Sequence, residues 1–513
     1  MSKQLYKSSA VVGGMTMVSR VAGFVRDMIL ANIFGVDAAT DAFFVAFKIP
    51  NFLRRLFAEG AFAHAFVPVV MGYIRAGDRA ALRAFIDKTA GASALLLGGL
   101  TLICMAGAPL LIIVFAPGFY WGGGNFEQAV YLLRVTMPYL FFIFFTGLAG
   151  GILNAHGKFA VPAVTPVFLN IFMIAAALWL APNLAEPIHA LAWAVTAAGA
   201  AQWLFQLPAL RSLGLLPRLR RGWRDPAVRR LLGMMGPAIF GVSVVQINLL
   251  AGTLFASFLP AGSVSWLYYS DRLVEFPLGI FGVAVSTVIL PSLAKSHAAE
   301  DAAGFSKSLD WALKLVLLIG LPATAGLTLL SEPLLSTFFQ YNEFGADDVR
   351  MTARSLTAFS LGLLGFILIR VLVPGFTARQ DTRTPALFGW YSMLGNLGLN
   401  ALFILPLAHA GPALATTLAA YFNAGLLLRA LLRRGIYRPA AGWPFFIGRV
   451  AVAVAGMAGF LVYAVDAEAW LHWHAVERGW RLSVVIVAAM AVYAVALPLL
   501  GVRIKDFWES HAG

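Results

Sequence analysis

The chain has 513 residues, of which 60% are hydrophobic and 12% are charged. A soluble domain carries about 25% charged residues, so this composition excludes a soluble protein and predicts a polytopic membrane protein. The net charge of +14 could suit nucleic acid, but the chain has no soluble basic domain to bind it, so we expect no nucleic-acid partner. Cys104 is the single cysteine, which excludes an intramolecular disulfide and a cysteine metal cluster.

Apolar stretches long enough to cross a bilayer recur along the whole chain. A span needs about 20 residues to cross ~30 Å of hydrocarbon, and fourteen stretches meet this requirement. We therefore predict an all-α fold of fourteen transmembrane helices, the first of them a retained helix rather than a signal peptide. The predicted helices cover residues 10–34, 40–74, 82–116, 127–154, 160–182, 188–211, 231–257, 263–294, 306–338, 349–378, 385–406, 411–432, 443–465 and 480–501.

The predicted loops divide into a basic set and an acidic set that alternate along the chain. The basic set holds 24 lysines and arginines, whereas the acidic set holds three, Arg350, Arg478 and Arg481. Because basic loops remain on the cytoplasmic side of a membrane, both termini are predicted to be cytoplasmic.

Several basic residues lie inside the apolar stretches rather than in loops, and six of them are candidates for a site. A cation at the bilayer centre costs about 2.5–3.5 kcal/mol on insertion scales, so such residues usually face a wet cavity and mark a substrate path. We therefore expect a central cationic cavity that binds an anionic substrate. The six are Arg20 and Arg26 in the first helix, Lys48, Arg54 and Arg55 in the second, and Arg272 in the eighth.

The second and eighth helices also carry residues that bend helices. Proline removes a backbone hydrogen bond, and membranes tolerate this mainly where the freed groups meet protein or water. We predict hinges at Pro50 and Gly60 in the second helix, and at Pro277 and Gly279 in the eighth.

An internal repeat relates the two halves of the chain. Residues 40–68 align with 263–291 at an offset of 223, and Pro162 aligns with Pro385 at the same offset. The offset spans six helices, so the halves should share one orientation. We predict an N-lobe over 1–211, a basic amphipathic helix in the linker 212–230, a C-lobe over 231–434, and two extra helices with a cytoplasmic tail over 435–513.

Three segments resemble one known family. MTMVSRVAGFVRDMILANIFG, TDAFFVAFKIPNFLRRLFAEGAFAHAFVPV and SVSWLYYSDRLVEFPLGIFGVAVSTVILPSL are similar to the MurJ (MviN) lipid II flippases, and the resemblance runs from about residue 8 to the C-terminus. That family belongs to the multidrug/oligosaccharidyl-lipid/polysaccharide exporter superfamily, with two six-helix lobes plus two helices. The resemblance implies transport of the undecaprenyl-pyrophosphate-linked peptidoglycan precursor from the cytoplasmic to the periplasmic leaflet of the bacterial inner membrane, by alternating access.

The resemblance also implies roles for individual residues. Arg20, Arg26, Arg54, Arg55 and Arg272 match the family's essential arginines, and we expect them to contact the pyrophosphate or the acidic peptide. Other matching positions are Asp41, Lys48, Asn51, Asp271 and Glu275. We expect Lys48 to bind the head group as well. We expect Asn51 and the carboxylates, including Glu59, to balance the cationic charge or to take part in gating.

Several alternatives remain open at this stage. Lys48 and Asp271 occupy equivalent repeat positions and could pair when one side closes. Arg54 and Arg55 could instead anchor their helix at the membrane surface. Arg26 and Asp27 could form an exposed pair. The last two helices, 443–465 and 480–501, could hold the lipid tail in a groove or could simply face lipid.

The expected ligands are few. No P-loop or nucleophile elbow is present, so we predict a transporter without enzymatic activity and without a cofactor. A family sodium site is doubtful because Gln246, Asn248, Asn396, Asn400, Thr416 and Thr417 include no carboxylate. We expect lipid II and membrane lipids as partners, possible contact with the cell-wall synthesis machinery, and a functional monomer. A flippase for O-antigen or capsule lipids is the nearest alternative, and a multidrug exporter is a more distant one.

Overall fold

The computed structural model describes residues 3–122 and 125–502, and within this part every regular element is helical. For a few helical residues (3–10, 58–61, 63, 64, 237, 238, 240–242, 244, 245, 249, 282–284, 286 and 287) it describes the backbone only. The chain forms two compact units, Met1–Ser265 and Trp266–Gly513.

The first unit contains eleven α-helices and the first residues of a twelfth. They are α1 (Lys3–Phe34), α2 (Ala38–Arg54), α3 (Ala63–Ala76), α4 (Arg79–Ala106), α5 (Ala108–Phe115), α6 (Pro117–Trp121), α7 (Phe126–Thr136), α8 (Pro138–Ala155), α9 (Ala160–Ala175), α10 (His189–Ser212), α11 (Pro226–Ala256) and the start of α12 (Ser263–Pro277). The segments Arg55–Phe62 and Ala176–Leu180 are π-helical, and Ala181–Asn183 is a 3₁₀ turn.

The second unit contains the rest of α12, a π-helical segment at Leu278–Gly282, and ten further α-helices. They are α13 (Val283–Ala298), α14 (Ala302–Leu329), α15 (Ser331–Phe339), α16 (Ala346–Leu361), α17 (Leu363–Thr377), α18 (Arg383–Leu407), α19 (Ala410–Arg433), α20 (Trp443–Ala464), α21 (Ala467–His472) and α22 (Ala475–Leu499).

Among the described residues, nine helical stretches are long and apolar enough to cross a membrane. The helices α1, α2 and α12, which carry five of the six predicted cavity cations, are not among the nine, and the sixth, Arg55, begins the π-helical segment after α2. The regular α-helical parts α2 and α12 are only 17 and 15 residues long, because each is followed by a π-helical segment. The nine stretches are Arg79–Ala106, Phe126–Ala155, Ala160–Asn183, Ala302–Leu329, Ala346–Thr377, Arg383–Leu407, Ala410–Arg433, Trp443–Ala464 and Ala475–Leu499.

Helix boundaries recur at the offset of the sequence repeat. Arg79–Ala106 and Ala302–Leu329 are displaced by 223 residues at both ends, and α9 and α18 begin 223 residues apart. The π-helical segments beginning at Arg55 and Leu278 also differ by 223. The same breaks in helix geometry therefore occur at equivalent positions of the two halves. The predicted hinge residues Gly60 and Gly279 lie in these π-helical segments.

Pro50 removes one backbone hydrogen bond from α2. Pro50 has no N–H, so the carbonyl of Ala46, four residues earlier, loses its helical partner. The buried hydroxyl of Thr136 in α7 donates to that oxygen at 3.4 Å and to Leu133 O at 3.2 Å. Helix α7 thus supplies a hydrogen-bond donor in place of the N–H that proline lacks, as expected inside a membrane.

An aromatic core holds α3, α4 and α8 together in the first unit. Phe62, Phe66, Phe85 and Phe144 are all nearly inaccessible, and Phe62 packs against Phe66 and Phe144 with ring centroids 4.7 and 4.5 Å apart. Gly151 lies against Phe66, where an added Cβ would be 3.1 Å from the ring. Close packing at this point places the π-helical segment against α8.

In the second unit, α20 docks onto α14 through one buried carboxylate. Asp310 accepts hydrogen bonds from the Tyr437 hydroxyl at 2.8 Å, the Trp443 indole at 2.6 Å and the Ala440 amide at 3.1 Å. Lys314, one turn along α14, pairs with the same carboxylate at 2.7 Å. This cluster fixes the chain just before α20 and at its first residue.

The predicted helix boundaries place Arg478 in a solvated loop, but the structure shows that this residue is buried. It lies in the first turn of α22, with 7% of its surface exposed. Its guanidinium donates to the carbonyl oxygens of Ser336, Gln340 and Leu471 at 3.0–3.2 Å. This residue therefore ties α22 to the end of α15 and to α21.

The amphipathic helix predicted in the linker is wrong over residues 213–225. The chain there is non-helical, and α11 begins only at Pro226. Gly214 takes a positive φ of 67°, and Pro217 interrupts any helix that would follow. Two backbone amides of the segment are instead satisfied by Asp87 of α4, from Arg218 N and Arg220 N.

Candidate functional site

Arg20 and Arg26 lie on the same helix in opposite environments. Arg26 is buried, and its guanidinium donates to Asp27 Oδ1 at 2.7 and 2.9 Å and to Asn170 Oδ1 of α9 at 3.1 Å. Asn170 in turn donates to Ser19 O at 3.1 Å. The alternative of an exposed Arg26–Asp27 pair is wrong because the two side chains are 4% and 1% accessible. Arg20 is exposed on α1, as expected for residues six positions apart in a helix.

Asp41 is a buried acceptor at the start of α2. Its carboxylate accepts from Gly262 N at 2.8 Å, and from the backbone N–H and hydroxyl of Ser265. Gly262 precedes α12 and Ser265 lies in its first turn, where backbone amides have no partner within the helix and favour a negatively charged acceptor. Asp41 therefore caps a helix more than 220 residues away in sequence.

Lys48, Asn51, Arg54 and Arg55 form a half-buried polar cluster at the end of α2. Asn51 links the group, because its amide donates to Phe47 O at 2.9 Å while its oxygen accepts from Arg54 Nε at 3.2 Å. The cluster crosses the boundary between α2 and the π-helical segment beginning at Arg55. Three cations are thus held within eight residues of one irregular helix.

Helix α11 supplies polar groups to the same cluster. Lys48 Nζ donates to Thr253 Oγ1 at 2.7 Å, and Arg55 Nη1 reaches Gln246 Oε1 at 3.5 Å. Sequence reasoning missed Thr253 and treated Gln246 only as a doubtful sodium ligand. The available signal was the polarity of these two side chains within the predominantly apolar second half of α11.

Arg272 in the second unit is held by its own helix. It pairs with Glu275 at 2.7 Å, donates to the Tyr268 hydroxyl at 3.2 Å, and lies 5.0 Å from the centre of the Tyr268 ring. Asp271 beside it is half-buried. The predicted carboxylate Glu275 therefore balances the charge of Arg272. The predicted pairing of Lys48 with Asp271 stays a prediction.

The remaining predicted residues have mixed outcomes. Pro50 is buried, whereas Pro277 and Gly279 are partly exposed. For Glu59 and Gly60 the structure describes the backbone only. Their predicted roles therefore stay predictions.

The residues considered for a sodium site are divided between the two units. Gln246 and Asn248 belong to the first unit, and the other four belong to the second. Asn400 donates to the backbone and side-chain oxygens of Asn396 at 2.7 and 2.9 Å, and both residues are buried. The Thr416 and Thr417 hydroxyls donate to Pro412 O and Ala358 O. Within the described residues, three or more His, Cys, Asp or Glu side chains are nowhere grouped to hold a metal ion.

The helical fold, with nine stretches long and apolar enough to cross a membrane among the described residues, is that of a polytopic membrane protein. A solved structure described as an inward-facing multidrug resistance MATE family transporter of the MOP superfamily shares this fold. It matches with a TM-score of 0.67 over 83% of this chain and 98% of that one, at 14% identity.

Closer comparisons identify the family. The chain belongs to the Lipid II flippase MurJ family, which matches residues 30–479. The "Probable lipid II flippase MurJ" of Vibrio cholerae is 47% identical over 513 residues, covering 98% of each chain. A solved structure described as "Lipid II flippase MurJ, inward closed conformation" matches with a TM-score of 0.80 and 26% identity, covering 96% of this chain and 98% of that one.

Proposed function

We propose that this protein is a lipid II flippase of the bacterial inner membrane. It moves the undecaprenyl-pyrophosphate-linked peptidoglycan precursor from the cytoplasmic to the periplasmic leaflet by alternating access. It is a transporter and not an enzyme, and it serves peptidoglycan synthesis and thereby cell shape. Family membership and the names of its relatives support this function.

The observation that carries the proposal is the half-buried cluster of Lys48, Arg54 and Arg55. A pyrophosphate carries two negative charges, and guanidinium groups bind such oxygens through paired, charge-assisted donors. Maintaining three cations inside helices at membrane depth is costly unless an anion uses them. Their position beside the π-helical segment Arg55–Phe62 places them where the backbone departs from regular geometry, as at other functional π-bulges.

Further features of the first unit fit head-group binding. Arg20 is exposed on α1 and is available to an acidic peptide or phosphate. Arg26 is buried between Asp27 and Asn170, so we assign it to positioning α1 on α9 as well as to the electrostatic field of the site. Arg272 of the second unit is a further anion-binding candidate whose charge is trimmed by Glu275.

The proposed topology has fourteen membrane-spanning helices with both termini in the cytoplasm. The excess of lysine and arginine in one alternate set of loops supports it. We further propose that one chain is the functional unit, and that it supplies precursor to the cell-wall synthesis machinery.

The lipid tail is proposed to lie along α20 and α22. One face of these helices packs against α14 and α15, where Val450, Ala453, Met457 and Leu461 are buried. Their other face is strongly apolar and exposed, with Tyr463 93% and Met490 64% accessible. A very long polyprenyl chain requires an apolar surface of this kind outside the polar path.

The decisive experiment replaces Arg54 in cells depleted of their own flippase. Arg54→Ala is expected to abolish growth rescue and to trap the lipid-linked precursor in the cytoplasmic leaflet, measured by its accessibility from the periplasm. Arg54→Lys keeps the charge but loses the paired donors, so it should rescue partially.

Arg383→Ala, an exposed arginine at the start of α18, is the matched control and should rescue fully. Normal periplasmic exposure of the precursor with Arg54→Ala, at equal protein level in the membrane, would contradict the proposed function.

A further inference from the structure

The non-helical linker is an exposed basic surface that the proposed function does not use. We name residues 213–225 the basic strap. Four of its arginines are exposed, and three exposed apolar side chains alternate with them, Leu219 being 69% accessible. The arginines are Arg218, Arg220, Arg221 and Arg224, and the apolar residues are Leu216, Leu219 and Trp223.

The strap is fastened to α4 along its length. Asp87, which is 2% accessible, accepts from Arg218 N at 2.9 Å through its carboxylate and from Arg220 N at 3.3 Å through its backbone oxygen. Lys88 pairs with Asp225 at 2.6 Å and so fixes the far end of the strap.

Two glycines allow the close approach of the two backbones. A Cβ on Gly91 would lie 1.9 Å from Arg220 O, and one on Gly222 would lie 2.2 Å from Lys88 O. Neither position has room for a side chain. The strap therefore presents its arginines from a fixed backbone rather than from a flexible loop, which lowers the entropy cost of binding.

The strap lies against the charged beginning of a helix that is long and apolar enough to cross a membrane. It contacts α4, a stretch long and apolar enough to cross a membrane, at Asp87–Gly91, within its first four turns. The charged residues Arg79, Arg83, Asp87 and Lys88 are confined to the beginning of that helix. Charged side chains of this kind are typical of the part of a membrane helix at headgroup level, because they are costly among acyl chains.

We propose that the basic strap binds anionic phospholipid headgroups of the surrounding bilayer. The exposed guanidinium groups offer paired donors to lipid phosphates. Leucine and tryptophan side chains at the same level enter the boundary between headgroups and acyl chains, as in interfacial segments. A soluble polyanion would use the arginines but would leave Leu216, Leu219 and Trp223 in water, so the interleaved apolar residues favour lipid.

A fluorescent label on the strap tests this binding without any transport substrate. In full-length protein with Cys104→Ser, Leu219→Cys is labelled with an environment-sensitive dye and reconstituted into nanodiscs of phosphatidylcholine with increasing phosphatidylglycerol. The emission is expected to shift to the blue as phosphatidylglycerol rises, and added salt should weaken the shift by screening. Since lipid II is absent, the result is independent of the proposed flippase activity.

The triple variant Arg218→Gln, Arg221→Gln, Arg224→Gln removes three exposed charges and retains the backbone attachment to α4. It is expected to raise the phosphatidylglycerol fraction that gives half of the shift by about threefold to tenfold. The matched control is a second triple variant, Arg383→Gln, Arg429→Gln, Arg433→Gln. It removes the same charge from exposed positions of α18 and α19, and it should leave the shift unchanged.

Gly91→Val, which displaces the strap through Arg220 O, should also abolish the shift while every arginine remains. The proposal is overturned if pure phosphatidylcholine gives the same emission, if both triple variants lose the shift equally, or if only an added soluble polyanion such as heparin produces it.

Discussion

At the scale of single residues, the cations of the first unit differ in what surrounds them. Arg26 is buried with a carboxylate and an amide, Lys48 bonds a hydroxyl, and Arg20 is exposed. Arginine therefore bonds a neighbouring helix at one position of α1 and is exposed at another. Hydrophobicity along the chain does not distinguish these roles, because all these cations interrupt similar apolar runs.

The buried Arg26–Asp27 pair predicts a large stability loss when its acid is neutralised. Asp27→Asn leaves a buried guanidinium without its charge partner, and breaking such pairs costs about 3–5 kcal/mol. The expected result is a clearly lower melting temperature of the purified protein in detergent.

Asp347→Asn is the matched control, since Asp347 is 96% exposed in its pair with Arg350. An exposed pair is worth at most about 1 kcal/mol, so the melting temperature should barely move. Equal losses in the two variants would show that burial of the Arg26 pair does not matter.

At the scale of elements, the two halves of the chain share not only the positions of helices but also the interruptions of regular helix geometry. The π-helical segments begin at Arg55 and Leu278, at equivalent positions of the repeat, and each follows a proline within five residues. The sequence predicted bends near these points from Pro50 and Pro277. It could not predict π-helical geometry, since that depends on how neighbouring helices satisfy the freed backbone groups.

Removing the α2 proline should separate stability from transport. In Pro50→Ala the restored N–H can bond Ala46 O, a gain of about 0.5–1.5 kcal/mol, so the melting temperature should hold or rise. Transport should fall, because a straighter α2 changes the direction of Arg54 and Arg55. Growth rescue and thermal unfolding of the same variant measure the two effects.

Pro322→Ala in α14 provides the comparison, because this proline also lies inside a helix, but one that carries none of the six predicted cavity cations. It should leave transport unchanged. Full transport by Pro50→Ala would remove the hinge from the proposed mechanism.

At the scale of the whole molecule, acidic groups in both units, among them Asp225 and Asp381, link stability to pH. The hydrogen bond from Lys88 lowers the pKa of Asp225 below its ordinary 3.8. The side chain of Thr384, with Arg434, lowers the pKa of Asp381 in the same way. A carboxyl with a lowered folded-state pKa stabilises fully above its unfolded pKa, and this contribution disappears as pH falls through the folded value.

We therefore expect both units to lose stability in acid below about pH 4, with each partly exposed pair contributing no more than about 1 kcal/mol. Asp225→Asn and Asp381→Asn should each lower the melting temperature at neutral pH and reduce the difference between neutral and acidic pH. An unchanged pH difference in both variants would contradict this assignment.

The sequence by itself determined the class of protein, the order of the helices, their repeat and the family. These properties depend on hydropathy and residue pattern, which can be read from short stretches of the sequence without knowing how the chain folds. Its fourteen helical segments are all helical in the structure, although several are divided, as at Gly107 between α4 and α5.

Only the tertiary structure decided which polar groups meet. Asp41 accepts from Gly262 and Ser265, Arg26 bonds Asn170, and the linker lies as a strap on α4 instead of forming a helix. Hydrogen bonds act over about 3 Å, between groups that may be hundreds of residues apart in sequence. Their partners are therefore set by packing, which no local pattern in the chain records.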